Sequence, residues 1–367
     1  MNKIILYLKN FDWILFFPVF LLVCFGLVEI YSIALGQGAT DLLNFKKQVF
    51  FVGLGLGCLF FFAFFDFNHL KNWAKYLYAL AILMLTAVLI FGSSIRGTKG
   101  WFTFTLFSLQ PVEFVKIIML IFLAYFFSSR AIKIRPLRQL IYSGIISLPL
   151  IILTFLQPDF GSAAILFLVW LIMMAIADFD KKYFIILALL LVVLASLLWN
   201  FSFVEYQKQR VLTLIHPTAG NLGEGYNVRQ AIIAVGSGGL IGRGVGFGSQ
   251  SQLKFLPAAQ NDFIFAVICE ELGFGGAVLV FLLYLIIYFR CLLAVRRINN
   301  DFGIFFILGT LGLIFCEMFV NISMNIGILP VVGISLPFLS YGGSSIISSL
   351  ILIGIMENII IKSKLNY

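Results

Sequence analysis

Several charged residues of this chain stand inside or beside long apolar runs, where a charge needs a reason to be. A carboxylate there can move a proton and a lysine can hold an anion. Glu113 and Lys116, in QPVEFVK, lie three residues apart on one helical face and can pair with each other, as a structural ion pair or as part of a site. Asp159, in LQPDFGSA, follows a proline that interrupts an apolar run, which suits a helix cap. Asp262 begins another run in FLPAAQNDFIFAVICEELG. A plain N-cap would explain it, and its position between a glycine-rich segment and the apolar run favours a role in a cavity. Glu270 and Glu271 follow about two turns later, and at least one must face protein rather than lipid. The uncharged segment 321–345, NISMNIGILPVVGISLPFLSYGGSS, breaks helix at Pro330, Pro337 and Gly342-Gly343, and Ser340, Tyr341, Ser344 and Ser345 supply hydroxyls for a polar pocket.

The elements that position these residues are membrane helices. Of the residues, 62% are hydrophobic and only 11% charged, whereas a soluble domain has roughly a quarter of its residues charged. Apolar runs at about 14–33, 48–65, 74–92, 112–128, 140–156, 161–177, 183–203, 263–289, 303–328 and 344–361 predict an all-α polytopic membrane protein with about ten spans, organised as one transmembrane domain over 1–367. The run from Ile14 to Ile33 is too long for a signal-peptide core and is read as a retained span. Lys3, Lys9, Lys71, Lys75, Arg130, Lys133, Arg135, Arg138, Lys181, Lys182, Arg290, Arg296, Arg297, Lys362 and Lys364 gather at alternate ends of the spans, against only Lys46, Lys47, Arg96 and Lys99 in the short loops opposite. The positive-inside rule then places both termini on the cytoplasmic side of the membrane.

The formal charge of +9 is explained by these clusters, so no nucleic-acid partner is expected. Five scattered cysteines without C-x-x-C spacing and two histidines argue against a zinc site. The long segment 204–262 falls on the outer side, carries GSGGLIGRGVGFG, and holds apolar stretches suited to short helices on or in the interface. Irregular backbone at membrane depth must be buried in protein or line a wet cavity, so 204–262 and a re-entrant segment at 329–343 together imply a cavity open to the outside.

RGTKGW and QPVEFVK (96–116), LQPDFGSA (156–163), YQKQR (206–210), GYNVRQAIIAVGSGGLIGRG, SQSQLKFLPAAQNDFIFAVICEELG and the 321–345 segment, in this order, resemble the SEDS family (shape, elongation, division and sporulation) of membrane peptidoglycan glycosyltransferases over nearly the whole chain. GYN at 225–227 and SQSQL at 249–253 look more like the elongation branch, which maintains cell shape, than the division branch. The chain departs from the family at Ala258 (often Glu), Gln260 (often His) and Gly100 (usually Arg), so these positions are left out of the site.

The resemblance implies that lipid II is polymerised into glycan strands by an inverting glycosyl transfer. Asp262 matches the family's essential aspartate and is implied as general base. Lys116, Arg210 and Lys99 are implied ligands of the leaving pyrophosphate, with Glu113 and Asp159 positioning Lys116 or holding a divalent cation, and Ser340 in the substrate pocket. Mg or Mn is chemically compatible with such oxygens, and no sequence feature requires either. Implied partners are a class B penicillin-binding protein, whose transpeptidase crosslinks the glycan, and other membrane proteins of the elongation complex. The alternatives are a lipid II flippase, which has no need of a base at Asp262, and a division or sporulation polymerase of the same family.

Overall fold

The computed structural model describes residues 3–37, 39–95, 97–104, 107–130, 136–189 and 224–365. The apolar runs fold as helices: α1 (Lys3–Asn10), α2 (Trp13–Gln37), α3 (Ala39–Phe64), α4 (Phe67–Phe91), α5 (Pro111–Arg130), α6 (Pro136–Phe155) and α7 (Phe160–Ile176). After the described part of the predicted seventh span, helical over 181–189, come α8 (Glu224–Ser237), α9 (Ser249–Gln252), α10 (Ile264–Val295), α11 (Asp301–Asn325) and α12 (Gly343–Leu365). Among the described residues, 8 helices (α2 to α6 and α10 to α12) are long and apolar enough to cross a membrane, and α7 is a shorter apolar helix. The chain is a multi-pass membrane protein.

Burial separates lipid-facing helices from central ones. In their most apolar windows, 83% of α12 and 72% of α5 are buried, against 22% of α4 and 28% of α3. The sequence of α12 explains its place, because Ser344, Ser348, Ser349, Glu357 and Asn358 need protein partners that lipid cannot supply. Asn358 donates to Ala63 O at 2.8 Å and accepts from Phe67 N at 3.0 Å, tying the end of α3 to the start of α4.

An element absent from the all-helical expectation lies between α4 and α5. Three short antiparallel strands, β1 (Ser93–Ile95), β2 (Thr98–Thr103) and β3 (Ser108–Leu109), pair in the order β1-β2-β3. Apolar periodicity does not reveal strands this short. Their Thr, Trp and Phe content suits a pleated surface.

The two ends of the bundle differ. At one, Arg290 reaches Asp12 Oδ2 at 2.7 Å, Lys364 reaches the same oxygen at 3.5 Å, and Lys362 pairs with Asp66. Burial alone would raise the Asp12 carboxyl, but the Arg290 hydrogen bond and the charges of Lys364 and Arg290 hold it below its ordinary range. Toward the other end, α10 is interrupted at Gly273, whose φ of 64° is non-helical. There the glycine-rich segment is spliced into the helix. Glu270 O and Glu271 O accept from Arg243 N at 3.0 Å and Gly244 N at 2.8 Å, while Phe274 N and Gly275 N donate to Gly239 O at 2.9 Å and Leu240 O at 3.3 Å. The two i to i−4 bonds lost at the kink are thus replaced through the loop. A Cβ on Gly242 (φ +85°) would fall 2.2 Å from Glu271 O, so only glycine permits this approach.

Candidate active-site cavity

The helix starts converge opposite the Asp12 cluster. A cavity of about 780 Å³ is lined by Gln110, Glu113 and Lys116 at the start of α5, Asp159 and Ser162 at α7, Asp262 and Phe263 at α10, and Gly343, Ser344 and Ser345 at α12. Four helix N-termini therefore turn their positive dipole ends toward one space, which favours an anion. The sheet contributes Thr98, Trp101 and Thr103 to the wall, α3 contributes Asn44, Lys47 and Phe51, and the irregular segment before α12 contributes Val331 to Ser335.

The pairing foreseen between Glu113 and Lys116 is present, with Nζ to Oε1 at 2.8 Å, and a third member joins it: Glu317 of α11 takes the same ammonium at 2.5 Å. All three are buried. Sequence reasoning passed over Glu317, although the signal was available as a single carboxylate inside the apolar run 303–328. The Lys116 charge is therefore compensated twice. Lys47, counted from sequence only as a loop charge, lies in α3 and lines the cavity half-buried, and no ion pair to it occurs among the described residues.

Asp159 is the N-cap of α7 and also faces the cavity. Its Oδ1 accepts from Ser162 N at 3.0 Å, and Oδ2 from Ser162 Oγ at 2.8 Å and from Gln110 at 3.2 Å. Burial pushes this carboxyl above its ordinary range against the lowering effect of the Ser162 bonds. Asp262 stands one residue before the cap position of α10, which is Phe263. Its backbone is fixed by two amides of α11, Asn321 and Asn325, each donating to Asp262 O at 3.0 Å.

Ser340 lies behind the wall rather than in it. Its hydroxyl donates to Asn261 O at 2.6 Å and accepts from Leu336 N at 2.8 Å, so it pins the irregular segment to the residue beside Asp262. Lys99, in β2, directs its ammonium to Ile90 O at 3.4 Å and is not part of the cavity lining. Arg210 lies outside the described residues. Among the described residues no group of three or more His, Cys, Asp or Glu side chains is arranged to hold a metal ion.

The FtsW/RodA/SpoVE family model, described as "Cell cycle protein", matches residues 12–365. The chain belongs to this family. Among family members, the Peptidoglycan glycosyltransferase MrdB of Escherichia coli (strain K12) is 34% identical over 344 residues, spanning 93% of this chain and 92% of that protein. Stage V sporulation protein E of Bacillus subtilis (strain 168) is 33% identical over 360 residues, spanning 95% and 96%. A solved structure described as "Structural coordination of polymerization and crosslinking by a peptidoglycan synthase complex" superposes with a TM-score of 0.81 at 27% identity, covering 96% of this chain and 98% of that one. The FtsW/RodA/SpoVE match thus covers every segment of the cavity wall.

Proposed function

We propose that the cavity is where lipid II, a lipid-linked disaccharide pentapeptide, is polymerised into glycan strands for cell-wall elongation. The chain is a peptidoglycan glycosyltransferase by family and by the names of its relatives. The observation that carries the finer reading is the gathering of Asp262, Glu113, Lys116 and Asp159, from three helices far apart in sequence, around one anion-favouring space. In this reading the Asp262 carboxylate takes the proton from the acceptor sugar's 4-hydroxyl. The oxygen attacks the anomeric carbon of the lipid-linked donor, and the bond to pyrophosphate breaks with its electron pair leaving on phosphate oxygen. An α-linked donor becomes a β-1,4 link, so configuration inverts. Lys47, Lys116 and the helix N-termini stabilise the charge on the departing group. Glu113 and Glu317 hold the Lys116 side chain in place at the cavity until an anion arrives. Arg210 remains a family-implied pyrophosphate ligand, Lys99 is turned away to Ile90 O, and Ser340 acts by holding the wall.

MrdB and stage V sporulation protein E are matched almost equally, so the elongation role rests on GYN at 225–227 and SQSQL at 249–253. A class B penicillin-binding protein and other elongation-complex membrane proteins are the proposed partners, supported by the likeness to a peptidoglycan synthase complex. The distribution of lysine and arginine supports both termini on the cytoplasmic side with the cavity outside, and the family supports the bacterial inner membrane as the site.

The test is purified protein with lipid II, read as glycan strands on a gel. Wild-type protein is expected to give a ladder, and Asp262→Asn to lose roughly 10²–10⁴-fold of the rate while folding normally. Because Asn caps a helix nearly as well as Asp, a capping role predicts no change. A wild-type ladder from Asp262→Asn removes the base assignment.

A further inference from the structure

The glycine-rich hairpin between α8 and α10 carries large apolar side chains that touch little protein. Leu240 is 78% exposed, Ile241 89% and Phe247 77%. In water such a cluster is costly, so its depth along the bundle decides its meaning. That depth can be read from α10, whose 32 residues exceed what a bilayer core requires. Counting back from its cytoplasmic end, residues 274–295 rise ~33 Å, enough for ~30 Å of hydrocarbon. The kink at Gly273 therefore marks the outer boundary of the core. Asp262 lies on the outer side of this kink, in the cavity it shares with the starts of α5 and α12. The tip of the hairpin is hydrogen-bonded to this kink, from Gly239 O and Leu240 O on one arm to Arg243 N and Gly244 N on the other. From the level of Asp262 the chain thus descends to the bilayer boundary and returns.

We propose that residues 238–255 form a membrane-inserted hairpin whose Leu240, Ile241 and Phe247 rest among the lipid acyl chains. Two independent observations support this occupant. Lipid-facing Phe274, next to the kink, is 62% exposed, so the apolar surface of α10 runs without a break onto the hairpin. Irregular backbone at this depth must have its amides satisfied by protein, and the buried carboxylates of α10 do so. Glu270 accepts from Gln250 N at 2.8 Å and Ser251 N at 3.2 Å, and Glu271 from Gly246 N at 3.1 Å. On the returning arm, exposed Lys254 suits lipid phosphates, as long basic side chains do at an interface, while Arg243 is turned back to Ser249 Oγ at 2.8 Å and Ser237 O at 3.4 Å. The hairpin would hold the Asp262 end of the cavity at a fixed height over the bilayer from which a lipid-linked substrate comes. The insertion itself does not depend on the glycosyltransferase reading.

The experiment places the photoreactive residue p-benzoylphenylalanine at position 241 or 247 of the full chain, reconstituted in vesicles of phosphatidylethanolamine and phosphatidylglycerol. Lipid-facing Leu285 of α10 serves as the positive control and exposed Asp180 as the aqueous one. After irradiation, intact mass is expected to rise by one phospholipid at 241, 247 and 285 and not at 180. Should either hairpin variant fail to accumulate, Leu253 on the returning arm is also exposed and takes its place. An adduct at 285 without one at the hairpin positions overturns insertion. So does irradiation in cells that joins 241 and 247 to another protein chain instead of lipid, which would make the patch a docking face. None of these readouts requires glycan synthesis, so loss of the polymerase reading and loss of the hairpin reading can be told apart.

Discussion

Replacing Lys116 by methionine asks whether its ammonium serves chemistry or only neutralises its neighbours. In the structure one cation, 3% exposed, bridges Glu113 at 2.8 Å and Glu317 at 2.5 Å. Deleting it leaves two carboxylates buried together. Breaking a buried ion pair by removing one partner typically costs ~3–5 kcal/mol, and two orphaned acids put this site at the upper end. That is roughly a 10³-fold shift in the folding equilibrium at ~1.4 kcal/mol per tenfold. Loss of glycan synthesis by Lys116→Met is therefore ambiguous taken alone. Adding Glu113→Gln and Glu317→Gln removes the orphaned charges, so the triple variant is expected to recover thermal stability in detergent while staying inactive on lipid II. Lys116→Arg keeps the charge and should lose less activity than Lys116→Met. A triple variant that polymerises lipid II at the wild-type rate would refute the assignment of Lys116 to pyrophosphate. Unchanged melting of the single Lys116→Met protein would refute the ion-pair reasoning itself.

Gly242→Ala forces a left-handed backbone at roughly 1–2 kcal/mol and an overlap with Glu271 O at roughly 1–3 kcal/mol, so detergent melting should fall sharply while Gly97→Ala, strained in φ but with open space around it, should fall less. Equal losses would show that the splice into α10 is not what glycine serves. The pH dependence of stability should carry a contribution from Asp12. Its folded value is depressed, so the unfolded state binds the proton more readily and stability is present above the ordinary aspartate value of ~3.9 and lost as pH falls through the folded value. Melting followed from pH 5 downward should show this loss in the wild type and a shallower one in Asp12→Asn. For orientation, with the native cysteines removed, a membrane-impermeant thiol reagent should label a cysteine placed at position 226 from outside intact cells and leave one at position 134 unlabelled. Outside labelling at 134 inverts the topology.

How much of this protein was legible in its sequence follows from how far each force reaches along the chain. Lipid demands long uninterrupted apolar helices, so α2 to α6 and α10 to α12 could be read directly, although Asp66 starts α4 seven residues before the expected 74 because its side chain caps Asn68 N. Burying a charge is costly wherever it occurs, so Glu113, Lys116, Asp159 and Asp262 announced themselves as needing partners. The caps and the i, i+3 pair are local, and Asp159 and Lys116 keep the neighbours that spacing gave them. What spacing cannot give is the partner on another helix. Glu317, 201 positions from Lys116, joins the pair only because α11 packs on α5. Lys47 enters the cavity wall because α3 leans on α12, and Lys99 and Ser340 are turned from it because β2 and the 329–343 segment spend their hydrogen bonds on Ile90, Asn261 and Leu336. The sequence by itself therefore determined the solvent, the helices and which residues were too costly to be idle. Only the tertiary structure decided which of them face one another, because that depends on helix rotation and packing, which lipid leaves open and the contacts between helices fix.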